Sequence, residues 1–142
     1  MDIFLPIDPA DIPSAQHKGA TGRRGRVIIY TKHEIKGFRK YLKEAIITSS
    51  NGETLVAPAY CLGIEYVWRT ASMKKSEYGQ PRTKRPDLDN LTKLLQDAIT
   101  DSQIAWQDDS AVSTTIQRKR WANVDEEAHV HIIITEDLIT PS

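Results

Sequence analysis

A single cysteine, Cys61, is all that the 142-residue chain contains. No internal disulfide can form, no thiolate cluster can hold zinc, and the thiol reads as a small buried hydrophobe in a reducing compartment. Long apolar runs are missing too, since nothing approaches the roughly 20 residues that a bilayer span needs. The opening MDIFLPIDPADIP carries acids where a secretory leader would carry Lys or Arg. These absences predict a cytoplasmic protein with no membrane partner. The chain also lacks a Gly-rich phosphate loop of Walker type, and neither Ser14 nor Ser110 has a Gly-x-Ser-x-Gly setting. Neither ATP hydrolysis nor serine-nucleophile chemistry is indicated.

Net charge is lacking as well, because 19 basic residues balance 19 acidic ones. The balance hides a strong segregation. Residues 1–16 hold Asp2, Asp8 and Asp11 with no base, and residues 122–142 hold Asp125, Glu126, Glu127, Glu136 and Asp137 with no base. All 19 basic residues therefore fall in 17–121, against 11 acids, a local net charge of +8. They gather at Arg23, Arg24 and Arg26, at Lys74 and Lys75, at Arg82, Lys84 and Arg85, and at Arg118, Lys119 and Arg120. One such group alone is ordinary solvated surface; four can follow a phosphate backbone.

Hydrophobic residues at 39% and charged residues at 27% are globular values, and the length suits one domain spanning 1–142. Met1, Ile3, Leu5 and Ile7 alternate as in a strand, followed by a Pro-rich loop and a short strand at 26–30. Ile35, Phe38, Leu42, Ala45 and Ile46 recur at helical spacing over 32–48, with Thr31 as N-cap and Glu34 three residues on. Asn51-Gly52 marks a turn, and the alternation from Tyr60 to Trp68 marks a strand. The polar, basic stretch 70–86 is too long for a simple connector. A second helix runs from near Asp87 to near Asp101, its apolar face made by Leu88, Leu91, Leu95 and Ala98. Residues 111–121 and 128–135 read as strands joined in an antiparallel hairpin. The expected fold is α+β, two main helices packed on a mixed, largely antiparallel sheet.

The stretch Lys84-Arg85-Pro86-Asp87-Leu88-Asp89-Asn90-Leu91-Thr92-Lys93 carries the chemistry. Inside a regular helix Asp87 and Asp89 would project about 200° apart. Pro86 lets Asp87 take a cap position with non-helical angles, so that the two carboxylates can converge at the helix start. Lys93 follows Asp89 by one turn, and Asn90 and Asp97 flank the same polar side. Taken alone, these acids are also what an N-cap, a dipole-matched first turn and a surface ion pair would use. A second acidic pair, Asp108-Asp109 after Trp106, adds hard oxygen donors in the turn behind the helix. Three carboxylates suit Mg²⁺, which keeps waters and accepts phosphate oxygens, and basic clusters around such a site point to phosphodiester hydrolysis. His129 and His131, two apart on a strand, face one way but have no third ligand at a clear spacing, and read as exposed strand histidines.

The segment RPDLDNLTK at 85–93, followed by Trp106-Gln107-Asp108-Asp109-Ser110 and the strand 112–120, closely resembles the RusA family of Holliday junction resolvases. DLDN-x-x-K with a downstream W-x-D-D is specific in combination, whereas a bare D-x-D is not. The family's N-terminal Pro-Pro-Ser-type loop has its counterpart only in Ile12 to Lys18. The resemblance implies a homodimeric, Mg²⁺-dependent endonuclease that cuts four-way DNA junctions by paired nicks in recombination and repair, with Mn²⁺ a candidate substitute. It implies Asp87, Asp89 and Asp109 as metal ligands, with Asp108 the second choice beside Asp109. It places Lys93 against the charge on the scissile phosphate or leaving oxygen. DNA shape and phosphates would be read by Arg23, Arg24, Arg26, Lys74, Lys75, Arg82, Lys84 and Arg85, with Tyr78 and Trp121 available either for stacking on unpaired bases or for packing. The residues leave open a protein that binds branched DNA without cutting it, and a nuclease acting on other DNA structures.

Overall fold

The computed structural model describes residues 1–13, 21–22, 26–27 and 32–138. Strand β1 (Asp2–Leu5) buries Ile3 and Leu5 and turns Asp2 and Phe4 outward, as its alternation requires. A short ribbon pairs β2 (Thr21–Gly22) with β3 (Arg26–Val27); residues 28–30 of the expected strand and Thr31, the expected N-cap, lie outside the described residues. Helix α1 (Lys32–Ser49) ends in the Asn51-Gly52 turn, where φ is 53° and 75°. Strand β4 (Tyr60–Trp68) is followed by the long stretch 69–87, helix α2 (Leu88–Ser102), and strands β5 (Val112–Trp121) and β6 (His129–Glu136).

The four long strands form one mixed sheet in the order β1-β6-β4-β5, with β4 antiparallel to β6 and parallel to β5. Both helices cover one face of it. Tyr60, Leu62, Ile64, Tyr66 and Trp68 of β4, Val130, Ile132 and Ile134 of β6, and Ile3 and Leu5 of β1 meet Leu91, Leu94, Leu95, Ala98 and Ile99 of α2 and Leu42 and Ile46 of α1 in a single core. Arg39 clamps the helices together by donating from Nε and Nη2 to the two carboxylate oxygens of Asp101 at 2.5 and 2.8 Å. That bond holds the Asp101 carboxyl below the usual carboxylate range. The other face of the sheet is uncovered by helix, and Phe4, Ile116 and Ile133 stand exposed there. Among the described residues no helix is long and apolar enough to cross a membrane.

The α+β class is observed, but the expected hairpin of the last two strands is not. β5 and β6 run in opposite directions on either side of β4 and do not pair. A tight hairpin needs a short turn, whereas segment 122–128 is long enough to cross the end of β4. Arg69 holds the crossing by donating from Nη1 to the carbonyls of Asn123, Val124 and Glu126 at 3.2, 3.0 and 2.9 Å. Burial explains the order: β4 is the most enclosed strand and takes the centre, while polar β5, with Ser113 to Ile116 all exposed, takes an edge. β4, α2 and β5 thus form a parallel crossover unit, which sets α2 directly against the sheet beside β5.

Candidate active site

The stretch before α2 is threaded onto the free edge of β5 before it reaches the helix. Trp121 donates its backbone N–H to the Gln80 carbonyl at 2.9 Å, the Arg82 amide donates to the Lys119 carbonyl at 3.1 Å, and Pro81 bridges Arg120. From the strand, Lys119 Nζ donates to the carbonyls of Lys84 and Pro86 at 2.8 and 2.9 Å. Arg82 Nη1 donates to the carbonyls of Lys84 and Arg85 at 3.0 and 2.8 Å. The Arg82 guanidinium lies 4.3 Å from the Trp68 ring and 5.2 Å from the Trp121 ring, and burial lowers its pKa. Among the described residues its buried Nε has no partner. Burial, followed by repulsion from Arg82, also lowers the Lys119 pKa, against the attraction of Asp87.

This scaffold delivers Asp87 to the N-cap of α2 with φ −71° and ψ 151°, the non-helical cap position expected for it after Pro86, and the Arg85-Pro86 bond is cis. Its carboxylate makes no capping hydrogen bond, so it is not consumed by the helix start. One turn along, Asp89, Thr92, Lys93, Gln96 and Asp97 lie on the side of α2 that faces β5. With Asp109, Thr115 and Gln117 they line a cleft of about 270 Å³. Among the described residues Asp89 and Lys93 form no ion pair with each other, so the lysine is not tied to its helical neighbour.

Trp106 fixes the second acidic turn. It is buried, its indole donates to Thr100 Oγ1 at 2.7 Å, and its ring meets Tyr60 edge-on. Immediately after it Asp108 accepts the Ser110 amide at 2.9 Å, and this contact holds its carboxyl below the usual range. Asp108 is thereby engaged in its own turn, while Asp109 lines the cleft. The structure thus brings Asp89, Lys93 and Asp109 together, with Asp87 at the head of the helix and Asp108 turned to local bonding. Among the described residues no three carboxylate, imidazole or thiolate groups are close enough to hold a cation by themselves.

The basic residues divide. Lys74, Lys75, Lys84 and Arg85 are exposed, the first two at a short 3-10 turn, Lys75–Glu77. Arg82 spends its guanidinium inside the fold, and Arg120 is held by Glu65 and Glu126. Arg23 and Arg24 lie outside the described residues, as does the side chain of Arg26. Trp121 is buried beneath Arg82 and Lys84 and belongs to the packing. The two histidines are not exposed strand residues either. Phe4 of the neighbouring strand stacks on His129 at 4.6 Å and buries it, while His131 Nε2 lies 2.6 Å from Asp2 Oδ1.

Sequence reasoning missed Thr92, Thr115 and Gln117, and it grouped Lys119 with the phosphate-tracking cations, whereas its ammonium holds the carbonyls of Lys84 and Pro86. The signal for Thr115, Gln117 and Lys119 was strand parity, since they share the inward face of β5 with Trp121. A second, larger groove of 660 Å³ also went unnoticed; Lys36, Arg39, Lys40 and Lys43 of α1 line it opposite Thr100, Asp101, Gln103 and Gln107. Its lysines recur at helical spacing and lay outside the clusters that composition had marked.

An acid-lined cleft between a helix start and a sheet edge, with Lys93 on its wall, is the kind of site that metal-assisted phosphodiesterases use. Residues 9–135 match the family model described as Endodeoxyribonuclease RusA, and the chain belongs to that family and is an endodeoxyribonuclease. It is also 29% identical over 128 residues to the "Crossover junction endodeoxyribonuclease rusA" of Lactococcus phage r1t, an alignment covering 85% of this chain and 87% of that protein.

Proposed function

We propose that this endodeoxyribonuclease resolves four-way Holliday junctions by paired nicks, as a Mg²⁺-dependent homodimer serving DNA recombination and repair in the cytoplasm. The observation that carries the reading is the cleft in which Asp89 and Asp109 face Lys93 between α2 and β5. The phage relative named for crossover junctions supports the substrate.

Asp89 and Asp109, which share the cleft, and Asp87 at the helix head would hold the metal once the ion draws the three together, since they do not stand close enough without it. The donors are all carboxylate oxygens, which fits a hard dication, and their open arrangement leaves coordination positions for water and phosphate, as Mg²⁺ prefers; Mn²⁺ accepts the same donors. When bound, the ion would supply an activated water and neutralise phosphate charge. The chain's own groups do the rest. Lys93 sets an ammonium against the scissile phosphate or leaving oxygen. Lys74, Lys75, Lys84 and Arg85 reach for flanking phosphates, with Arg23, Arg24 and Arg26 the further candidates.

Two opposed nicks require two equal sites, which a twofold axis supplies. The uncovered sheet face is the surface for the second copy: Phe4, Ile116 and Ile133 are exposed there beside Glu65 and Arg118, apolar and oppositely charged groups that a twofold contact can match.

The test is cleavage of a labelled four-way junction beside a matched linear duplex, in Mg²⁺ and in EDTA. Symmetric, metal-dependent nicks in the junction alone are expected. Asp89→Asn should cut at least about 10²-fold more slowly while binding the junction as well as the native protein, because the cations are untouched. Tight binding with no cleavage would instead make the acids structural and the protein a binder of branched DNA. Equal cutting of flaps would point to other DNA structures.

A further inference from the structure

Behind the cleft a chain of hydrogen bonds ends on an amide whose direction it dictates. The Tyr66 hydroxyl, fully buried on β4, lies 2.9 Å from Thr92 Oγ1, and Thr92 Oγ1 lies 2.5 Å from Gln117 Oε1. Burial pushes the Tyr66 phenol up, so it stays protonated and needs an acceptor. Among the described residues Thr92 is the only partner of that hydroxyl. The tyrosine proton therefore goes to Thr92, and the threonine proton goes on to Gln117. The glutamine must then present its oxygen to Thr92 and its NH₂ group away from it. Gln117 lines the cleft with Asp89, Lys93 and Asp109, so two N–H donors are held at the wall opposite Lys93. With the amide reversed, Thr92 Oγ1 would take protons from both Tyr66 and Gln117, and the Thr92 proton would lose the acceptor it has in Gln117 Oε1, at a cost of about 1–3 kcal/mol.

We propose that Gln117 is a catalytic residue that donates to a non-bridging oxygen of the scissile phosphate, and that Thr92 and Tyr66 are positioning residues that fix its amide. A cleft lined by carboxylates repels an approaching phosphodiester unless donors on its walls receive the oxygens. Lys93 does so from α2, and Gln117 is the matching neutral donor on β5. The pairing also explains a polar chain through an otherwise apolar helix-sheet interface. The inference deepens the nuclease reading and rests on it.

The experiment measures single-turnover cleavage and metal-free junction binding for the native protein, Gln117→Leu, Thr92→Val and Tyr66→Phe. Junctions carry either a natural phosphate or each methylphosphonate stereoisomer at the cut site. Gln117→Leu should cut about 10²-fold more slowly with an unchanged junction Kd. Thr92→Val and Tyr66→Phe should slow cleavage less, by about three- to tenfold. On natural phosphate the native protein should far outpace Gln117→Leu; on one methylphosphonate isomer that advantage should vanish, because the oxygen receiving the amide is gone. A stability change cannot produce this stereospecific cancellation, so it serves even if Gln117→Leu melts at a lower temperature. Should Gln117→Leu fail to fold, Tyr66→Phe, which keeps its ring, carries the same cycle with a smaller ratio. A Gln117→Leu rate within twofold of native, or an equal loss on phosphate and both isomers, overturns the proposal. A native protein that cuts no DNA overturns the nuclease reading instead.

Discussion

Glu126 gives the crossing between β5 and β6 a pH dependence whose size follows from its contacts. Its two carboxylate oxygens take Nη1 and Nη2 of Arg120 at 2.5 and 2.7 Å, and Oε1 also accepts the Asn123 amide at 2.9 Å. The Arg120 guanidinium is the main cause that holds this carboxyl at about 2, against an ordinary 4.5, while burial opposes it. A depressed carboxylate contributes stability that is complete above pH 4.5 and drains away as pH falls through the folded value near 2. At about 1.4 kcal/mol per pH unit the gap is worth roughly 3 kcal/mol. Because 26% of the Glu126 side chain remains in solvent, screening trims this to about 2 kcal/mol. Urea unfolding, followed by the fluorescence of the buried Trp68, Trp106 and Trp121, should show Glu126→Gln less stable than the native protein by about 2 kcal/mol at pH 7. That difference should shrink steadily from pH 5 to pH 2.5. A difference that stays constant over that range would refute the linkage, and no difference at pH 7 would show that Glu65 alone satisfies Arg120.

Lys93→Ala should cleave about 10²-fold more slowly yet retain metal binding by calorimetry; an unchanged rate would reduce the lysine to a surface charge. Lys119→Met removes the Nζ hydrogen bonds to the carbonyls of Lys84 and Pro86, leaving Arg82 alone on Lys84, and should lower stability by about 1–3 kcal/mol and cleavage by about tenfold, checked by urea melts and single-turnover rates. Gly79 has φ 71°, and a Cβ there would sit 2.5 Å from Asn123 Oδ1. Gly79→Ala should therefore cost about 1–2 kcal/mol in the same melts, most of it from the backbone, since the Asn123 side chain can move aside.

The two helices, the central strand and the first strand were legible because each buries one face and repeats with its own period. The alternation of Tyr60 to Trp68 and the spacing of Leu91, Leu95 and Ala98 depend only on local geometry. Strand order is not local. Nothing in 111–121 or 128–135 says that β4 inserts between them, and the Asn123–Asp125 stretch looks like a turn until Arg69 is seen to hold its carbonyls. The head of α2 was readable because Pro86 restricts the backbone just before it. Gln117 and Lys119 were not, because which residues of β5 face α2 follows from its parallel register with β4, where Gln117 pairs with Ile64 and Lys119 with Tyr66. The same register brings Trp68 beside Trp121, and so makes the slot that draws Arg82 inward, away from the solvent where composition had placed it.

The segment that carries Asp87 toward its place also shields the sheet. An edge strand presents a row of unpaired amides and carbonyls to which a foreign chain can add. At the Lys119–Trp121 end of β5 that row is closed by Gln80 and Arg82. Substitutions that loosen residues 80–86 therefore uncover a sticky ladder of backbone groups at the moment they misplace the helix cap. Such variants would lose solubility and aggregate along with losing activity, and their yield would fall with concentration in a way that a lesion confined to Asp89 would not produce.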